Sequence, residues 1–158
     1  MKRALFATAL ALAPIGQLLL MGTGTMVTAA AVIVAVPEIA HAETLEFYKN
    51  SGLEKAKSGD YVGAIADFSK VIEINPKIYQ AYYNRGYAKR RLGDYSGAIN
   101  DFSKAIELNP KFAEAYNNRG AAKSILEDHS GAIDDFSTAI ELDPSDAGKY
   151  YNRGIAKA

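Results

Sequence analysis

The stretch GDYSGAINDFSKAIELNP at residues 93–110 has two close copies in the chain, and together the three decide the fold. GDYVGAIADFSKVIEINP lies 34 residues before it, at 59–76, and EDHSGAIDDFSTAIELDP lies 34 residues after it, at 127–144. The intervening segments align as well, since the string YYNRG occupies residues 82–86 and returns at 150–154. A gap-free period of this length predicts a stack of copies of one supersecondary unit.

The sequence of each copy predicts a helix with defined ends. In the quoted stretch, apolar and small residues recur at three- and four-residue spacing, as Ala98, Phe102 and Ala105 show, and this spacing is typical of one buried helix face. An aspartate precedes each such helix at the N-cap position: Asp60, Asp94 and Asp128. The residue before the proline that ends each copy is pushed out of the helical region. No segment has the alternation of a strand, so we expect an all-α fold.

These features resemble the tetratricopeptide repeat (TPR) family, whose unit is a helix–turn–helix of 34 residues. The landmarks of that family recur in register: Gly52, Gly86, Gly120 and Gly154; Ala64, Ala98 and Ala132; Phe68, Phe102 and Phe136; Pro76, Pro110 and Pro144. The resemblance covers nearly all of residues 45–158. It implies a right-handed α-solenoid with full units at 45–78, 79–112 and 113–146, and a partial fourth unit at 147–158 that contains only the first helix.

The composition argues against several classes of function. The 158 residues include 18 basic and 18 acidic side chains and no cysteine, which excludes disulfides and thiolate chemistry. With balanced charge, the Arg90-Arg91 pair forms no basic stripe, so we expect no nucleic-acid binding. His129 stands where the other units have Tyr61 and Tyr95, so we expect it to replace an aromatic packing residue, and it lacks a partner motif. The glycines form no phosphate loop. We therefore predict no enzyme, no metal site and no cofactor.

The N-terminal segment differs in kind from the repeats. A short basic start precedes a stretch without charge from Ala4 to Pro37, and the small residues of AHA at 40–42 follow. This pattern predicts a secretory signal peptide over residues 1–42, cleaved after its last alanine. Because about 20 apolar residues can cross a bilayer, the alternative is a retained membrane anchor within residues 4–36. Either way, we expect an exported protein, in a periplasm, a lumen or the medium.

An arginine recurs where each first helix should be packed: Arg85, Arg119 and Arg153. A buried arginine needs a carboxylate partner, and an aspartate directly precedes each second-helix phenylalanine: Asp67, Asp101 and Asp135. The pairs could form within a unit or between adjacent units. The first unit keeps Asp67 but has Ser51 at the arginine position, which favours pairing between units. We therefore predict three inter-repeat ion pairs: Arg85–Asp67, Arg119–Asp101 and Arg153–Asp135.

The resemblance also implies a binding surface, because the first helices of such units line a concave groove. The positions that face a bound peptide in the family hold, in this sequence, Lys49, Asn50, Lys57, Gln80, Tyr83, Asn84, Tyr87, Arg90, Arg91, Asn117 and Asn118. Tyrosine and arginine often dominate binding energy, so we expect a protein or peptide partner with acidic and aromatic side chains. The alternative is a solvated face whose aromatic residues are packed.

The carboxylate clamp of chaperone-binding relatives is expected to be absent. Lys49 and Asn84 fit its pattern, whereas Leu53, Glu114 and Asn118 do not.

The sequence thus predicts a non-enzymatic, exported module that binds a partner protein or peptide in the concave groove. One alternative is a membrane-tethered scaffold for assembling a larger complex, and another is a regulatory part of a longer enzyme. The lone fourth-unit helix either caps the solenoid or leaves Tyr150, Ile155 and Ala156 partly exposed, so that self-association completes it.

Overall fold

The computed structural model describes residues 29–157, which form seven helices and no strand. The helices are α1 (Ala29–Ser58), α2 (Tyr61–Ile74), α3 (Tyr79–Arg91), α4 (Tyr95–Leu108), α5 (Ala113–Ile125), α6 (His129–Leu142) and α7 (Ala147–Lys157). The expected all-α fold is confirmed.

The chain divides into two units, residues 1–35 and 36–158, and the repeats lie in the second. Of the first unit, the structure describes residues 29–35, which are helical. The predicted signal peptide, 1–42, and the alternative anchor therefore lie mostly outside the described residues, and the predicted cleavage position falls within α1. Among the helices of residues 29–157, none combines the length and the apolar character needed to cross a membrane.

Each second helix begins at a capping aspartate, as the sequence predicts. Oδ1 of Asp94 accepts a hydrogen bond of 2.9 Å from the backbone N–H of Gly97, which satisfies one of the donors that a helix start leaves without a partner. Asp60 and Asp128 cap α2 and α6 in the same way. A Cβ atom at position 97 would overlap the Asp94 carboxylate. Glycine is therefore required at position 97, beside the capping side chain.

The turn before each capping aspartate contains a residue in the left-handed region. Gly59 and Gly93 have φ angles of 86° and 85°, while Glu127 has a φ of 64° at the same position of the third unit. Glycine adopts this conformation freely, whereas the left-handed conformation destabilises a residue with a side chain by about 1–2 kcal/mol. The third unit therefore has a strained turn that the first two lack.

The core of each unit is a phenylalanine ring packed on a glycine of the preceding helix. Phe102 is fully buried, and a Cβ atom on Gly86 would lie 3.0 Å from its Cε1. Gly120 and Phe136 repeat this contact between α5 and α6. Burying a phenylalanine contributes about 1.5–3 kcal/mol, so the glycine allows the close helix approach on which each unit depends.

The helices stack in chain order, with α3 packed against α2 and α4, and α5 packed against α4 and α6. Among the described helices, α3 also approaches α5 and α5 approaches α7, while no Cα atoms of α2 and α4, or of α4 and α6, lie within 8 Å of each other. The first helices of successive units thus lie closer together than the second helices. They form the inner side of the curve, which confirms the α-solenoid and places α3 and α5 on its concave face.

The last helix is held by a buried lysine. Lys149 is 1% exposed, and its Nζ donates to Oδ2 of Asp143 over 2.6 Å and lies 3.9 Å from Oδ2 of Asp146. The second and third units have Ala81 and Ala115 at the lysine position. This ion pair is therefore a local feature of the α6–α7 junction rather than part of the repeat.

Candidate functional site

The recurring arginine of the repeat binds the aspartate of its own unit. In the second unit, Nε of Arg85 donates to Oδ2 of Asp101 over 2.9 Å, and its terminal NH2 group donates to Oδ1 over 2.7 Å. Arg119 holds Asp135 with the same two bonds. A carboxylate matches the fork of a guanidinium in this bidentate geometry, and the bonds to Asp101 raise the pKa of Arg85. The predicted inter-repeat pairs, Arg85–Asp67 and Arg119–Asp101, are therefore wrong.

The same arginines nevertheless join adjacent units through a serine. NH1 of Arg85 donates to Oγ of Ser69 on α2, and NH1 of Arg119 donates to Oγ of Ser103 on α4, each over 3.1 Å. Ser69 in turn donates to the carbonyl oxygen of Ile65. Each arginine thus connects its own second helix to that of the preceding unit, and a hydroxyl takes the place predicted for a carboxylate.

A lysine one turn after the arginine position is the second cation on each buried aspartate. Nζ of Lys89 lies 2.8 Å from Oδ2 of Asp101, and Lys123 lies 2.9 Å from Asp135. In the first unit, Lys55 binds Asp67 over 2.7 Å. This contact explains why Asp67 persists in a unit without the arginine, so its presence there does not require a pair across units.

The third predicted pair, Arg153 with Asp135, is also wrong. The Asp135 carboxylate is bound by Arg119 and Lys123. The guanidinium of Arg153 lies 5.7 Å from the ring of Tyr150 on its own helix, and no ion pair of Arg153 occurs within residues 29–157.

Tyr83 lies at the centre of the predicted groove but is packed on one side. Its ring contacts those of Phe102 and Phe112, with centroids 5.8 Å and 4.8 Å away, and its hydroxyl accepts a hydrogen bond of 3.2 Å from Nδ2 of Asn118. Burial raises the pKa of Tyr83, and the nearby Glu114 carboxylate adds to this effect. Tyr83 therefore stays protonated, with a hydroxyl proton that it can donate.

Polar side chains link the first helices of successive units along the concave face. The amide of Asn118 on α5 reaches Tyr83 on α3, and Nδ2 of Asn152 on α7 donates to Oδ1 of Asn117 on α5 over 3.1 Å. Nδ2 of Asn118 also donates to the carbonyl oxygen of Glu114. These asparagines thus have part of their hydrogen-bonding capacity occupied, and the groups that a peptide could still use are Oδ1 of Asn118 and Nδ2 of Asn117.

Three predicted site residues at the C-terminal end of α3 form an arginine–tyrosine cluster with a tyrosine of α2. The guanidinium of Arg91 lies 4.7 Å from the ring centroid of Tyr61 and donates to the hydroxyl of Tyr87 over 3.1 Å. Arg90 lies 5.5 Å from the Tyr87 ring. We call Tyr61, Tyr87, Arg90 and Arg91 the Arg–Tyr cluster.

The Arg–Tyr cluster has positive charge without a matching carboxylate. Neither Arg90 nor Arg91 forms an ion pair within the described part of the chain, and the buried Nε of Arg90 has no hydrogen-bond partner there. Stacking on a tyrosine face stabilises a guanidinium without neutralising it. The cluster therefore presents two cations that can bind an anionic group.

The predicted lysines of α1 differ from these arginines, because acidic neighbours bind them. Lys49 lies 3.3 Å from Glu46, which also accepts a hydrogen bond from Asn50. Lys57 lies 2.8 Å from Glu54. The positive potential that we expected near α1 is thus partly cancelled, and the available charge is concentrated at the end of α3.

The side-chain amides of two other predicted site residues on α3 are available to bind a partner. Gln80 is exposed, Asn84 is half-buried, and neither side chain has a hydrogen bond within residues 29–157. The amide of Asn84 can therefore donate to and accept from the backbone of an extended peptide.

The clamp positions have roles that differ from those of a carboxylate clamp. Leu53 packs against the buried cluster of Ala64, Phe68 and Ala88. Glu114 is exposed and places a negative charge where a clamp has a cation. Asn118 is engaged with Tyr83. The expected absence of a dicarboxylate clamp stays a prediction, and these contacts supply its physical reason.

Three features of the site were not predicted: the bonded serines, the lysine ligands of the buried aspartates, and Tyr61 in the Arg–Tyr cluster. Two of these could have been found from the sequence. A lysine recurs four residues after each arginine position, and a serine recurs two residues after each aspartate, as Ser69, Ser103 and Ser137. The role of Tyr61 had no signal in the sequence, because Tyr61 belongs to a different unit from Arg91, on which it stacks. His129, expected to pack as an aromatic substitute, is exposed.

Comparison with solved structures finds repeat domains of the same architecture. The first TPR domain of Spaghetti (RPAP3), bound to the HSP90 peptide SRMEEVD, superposes with a TM-score of 0.71 at 27% identity, over 73% of this chain and 91% of that chain. The TPR2B domain of yeast Sti1, in complex with pHsp70, gives 0.71 at 25% identity, over 73% and 97%. The crystal structure of MamA protein gives 0.69 at 30% identity, over 73% and 63%.

Sequence comparison identifies the repeats themselves. No curated protein matches the chain. Models of the tetratricopeptide repeat match residues 68–100 and 113–146, and a TPR repeat model matches residues 86–124. Residues 68–146 of this chain therefore consist of tetratricopeptide repeats.

Proposed function

We propose that the concave face of α3 and α5 binds an extended segment of a partner protein that carries acidic and aromatic side chains. The observation that carries this proposal is the Arg–Tyr cluster, where Arg90 and Arg91 have no carboxylate within residues 29–157. Most other cations of the first helices, by contrast, are paired with Glu or Asp, as Lys89 and Lys123 are. An acidic segment would supply the missing counter-charge.

The neighbouring amides suit the backbone of such a segment. Gln80 and Asn84 lie on α3 with uncommitted side chains, and an amide can bond both the N–H and the C=O of an extended chain. These bonds fix the orientation of a peptide without selecting its sequence. The acidic side chains would then determine affinity through Arg90 and Arg91.

The preference for aromatic side chains rests on the half-buried tyrosines of α3. Tyr83 and Tyr87 are both partly accessible, and aromatic rings pair edge-to-face for about 0.5–1.5 kcal/mol beyond the area they bury. The alternative from the sequence, a packed and unoccupied face, agrees with the inner contacts of Tyr83 but leaves the cations of the Arg–Tyr cluster unmatched.

The similar structures support the same class of function. Two of them are repeat domains in complex with chaperone partners, one with an HSP90 peptide and one with pHsp70. This chain differs from a clamp at Leu53 and Glu114, so we propose a peptide partner of different sequence and no requirement for a C-terminal carboxylate.

Calorimetric titration tests the proposal with a designed probe, a twelve-residue peptide of alternating glutamate and phenylalanine or tyrosine. We expect saturable binding by the full chain and at least a tenfold loss in an Arg90→Ala/Arg91→Ala variant, because hot-spot arginines carry much of the affinity. Lys104→Ala removes an exposed cation on α4 that is paired with Glu107, and it should bind like the wild type.

Two control peptides separate the contributions of charge and of aromatic surface. One has every glutamate changed to glutamine, and the other has every aromatic residue changed to alanine; both should bind more weakly. Equal binding by wild type and the Arg90→Ala/Arg91→Ala variant contradicts the proposal.

We also propose that the repeats work after export, which is supported by the signal-like sequence of residues 1–42. Intact mass and cell fractionation provide the test. A soluble exported form whose mass begins at Glu43 supports a secreted module. A full-length form in the membrane fraction supports the tethered scaffold, and a full-length form inside the cytoplasm contradicts export.

A further inference from the structure

The C-terminal ends of α3 and α5 carry exposed aliphatic side chains. Leu92, which follows α3, is 51% exposed, and Ile125 and Leu126 at the end of α5 are 51% and 47% exposed. Leu92 keeps this exposure in the second unit, which has a two-helix unit packed on either side, so the exposure belongs to this position of the repeat. We call Leu92, Ile125 and Leu126 the aliphatic edge.

The hydrogen bond between Tyr83 and Asn118 sets the register of α3 and α5, since its two residues are 35 positions apart. The same offset occurs in the bond between the asparagines of α5 and α7. Seven residues make about two helical turns and return to nearly the same helix face. Arg90 follows Tyr83 by seven residues, and Ile125 follows Asn118 by seven. The side chains of Arg90 and Ile125 therefore extend from neighbouring places on α3 and α5.

The end of α5 differs in charge from the end of α3. Ile125 occupies the position that Arg91 has in the preceding unit. Lys123 is committed to its buried aspartate, and Glu127, which follows the aliphatic edge, is exposed. An acidic side chain of a bound segment is therefore attracted to the Arg–Tyr cluster on α3 and repelled at the end of α5.

We propose that the aliphatic edge is a subsite that selects a large aliphatic side chain of the partner segment whose acidic side chains bind the Arg–Tyr cluster. This inference rests on the proposed function of the groove and adds a specificity-determining position to it. Packed helices have axes about 8–10 Å apart, and an extended chain advances roughly 3.3 Å per residue. The aliphatic residue therefore lies about three residues from an acidic one.

The charges beside the aliphatic edge determine this choice of partner. Exposed aliphatic side chains that are scattered singly need no partner, but these three lie at adjacent helix ends next to two unpaired arginines. A basic or purely apolar segment would cover Arg90 and Arg91 without supplying a counter-charge, which is unfavourable. A segment with both acidic and aliphatic side chains neutralises the arginines and removes the aliphatic edge from water.

A double-mutant cycle with two synthetic peptides tests the subsite. The peptide Leu-Ser-Ser-Glu-Glu-Ser-Ser-Leu offers a leucine at the required spacing in either chain direction, and the second peptide has serine in place of both leucines. In calorimetric titrations of the full chain, we expect the leucine peptide to bind about fivefold more tightly, because its leucine buries apolar surface. The Ile125→Ser/Leu126→Ser variant should bind both peptides with the affinity that wild type has for the serine peptide.

Val62→Ser is the matched control. It removes another exposed aliphatic side chain, 68% exposed on α2, and introduces the serine that the other two units have at this position. It should keep the fivefold preference for the leucine peptide. An equal preference in wild type and in Ile125→Ser/Leu126→Ser overturns the subsite, because the leucine then binds elsewhere.

The Arg90→Ala/Arg91→Ala variant distinguishes the subsite from the groove as a whole, since it should weaken the binding of both peptides. Dependence on the arginines without any preference for leucine overturns the subsite and leaves the proposed function standing. Failure of wild type to bind either peptide also overturns the subsite, and the titration with the acidic, aromatic peptide then decides separately on the proposed function. Self-association of wild type that Ile125→Ser/Leu126→Ser abolishes overturns the subsite too, because the occupant is then a second copy.

Discussion

Arg119 and Asp135 form a two-bonded ion pair between α5 and α6, with Nε to Oδ2 at 2.9 Å and the terminal NH2 nitrogen to Oδ1 at 2.6 Å. The aspartate is buried, and Lys123 is its second cation. A buried carboxylate with this many donors cannot be neutralised by a simple amide substitution without leaving the cations unmatched. The pair is therefore part of the packing of the repeat rather than a site for a ligand.

Adjacent aspartates allow a matched test of this pair. We expect Asp135→Asn to lower the free energy of unfolding by about 3 kcal/mol, because it leaves two partly buried cations without their anion. Asp134→Asn changes the exposed neighbour and should stay within about 0.5 kcal/mol of wild type. Urea denaturation measures both, and equal stabilities would contradict a structural role for the pair.

Glycines in equivalent places should respond in opposite ways. Gly120→Ala pushes a Cβ atom to 3.0 Å from Phe136 and 3.1 Å from the carbonyl oxygen of Ala132, so we expect destabilisation of about 1–3 kcal/mol from overpacking. Gly154→Ala meets nothing within 4 Å and should stabilise α7 by up to about 1 kcal/mol through helix propensity. Thermal unfolding followed by circular dichroism measures the two shifts, and shifts of the same sign would contradict the packing described.

A substitution that relieves the strained turn of the third unit should stabilise the protein. Glu127 has a φ of 64° where the other units have glycine, so Glu127→Gly should raise the free energy of unfolding by about 1 kcal/mol. The reverse change, Gly93→Glu, places a residue with a side chain in the same left-handed conformation and should lower the free energy of unfolding. A loss of stability in Glu127→Gly, measured by urea denaturation, would show that the glutamate side chain matters more than the turn.

The α6–α7 junction should weaken in acid. The hydrogen bond from Lys149, followed by the bonds from Ser145, lowers the pKa of Asp143 to about 2 from its ordinary 3.8. A lowered folded-state pKa contributes stability above pH 3.8, and that contribution is lost as the pH falls from 3.8 towards 2. The Asp143→Asn variant, with the residue type of the other units, should be less stable than wild type near pH 6, and the difference should shrink steadily below pH 3.8 and vanish below pH 2.

A double variant separates the ion pair from the packing of the junction. Asp143→Asn/Lys149→Ala restores the residues found at the two preceding junctions, Asn75 with Ala81 and Asn109 with Ala115. It removes the buried lysine together with its carboxylate, and replacing both partners of a buried pair is often neutral or stabilising. Stability of the double variant at or above that of Asp143→Asn, at pH 6, is the expected result. A double variant that is less stable than the single one would indicate that the lysine stem packs independently of its charge.

The repeat period of the sequence is enough to predict most of the architecture, because caps, glycines and phenylalanines act within one unit. Asp94 and Gly86 illustrate this: each contacts residues less than one period away. Ion pairs were less predictable, since Asp67 and Asp101 were both candidate partners of Arg85, and the absence of an arginine in the first unit favoured Asp67 although the helix packing brings Asp101 to Arg85. The Arg–Tyr cluster was partly predicted, but Tyr61 joins it only through the stacking of neighbouring units.

An NMR titration of the isotope-labelled protein with the acidic, aromatic twelve-residue peptide tests binding in the concave groove most directly. We expect backbone amide signals to shift mainly on α3 and the facing part of α5, with Asn84, Tyr87 and Arg90 among the largest changes. Salt should reduce the shifts, because the interaction depends on the charges of Arg90 and Arg91. Shifts confined to α4 and α6, or shifts unaffected by Arg90→Ala/Arg91→Ala, would contradict binding in the concave groove.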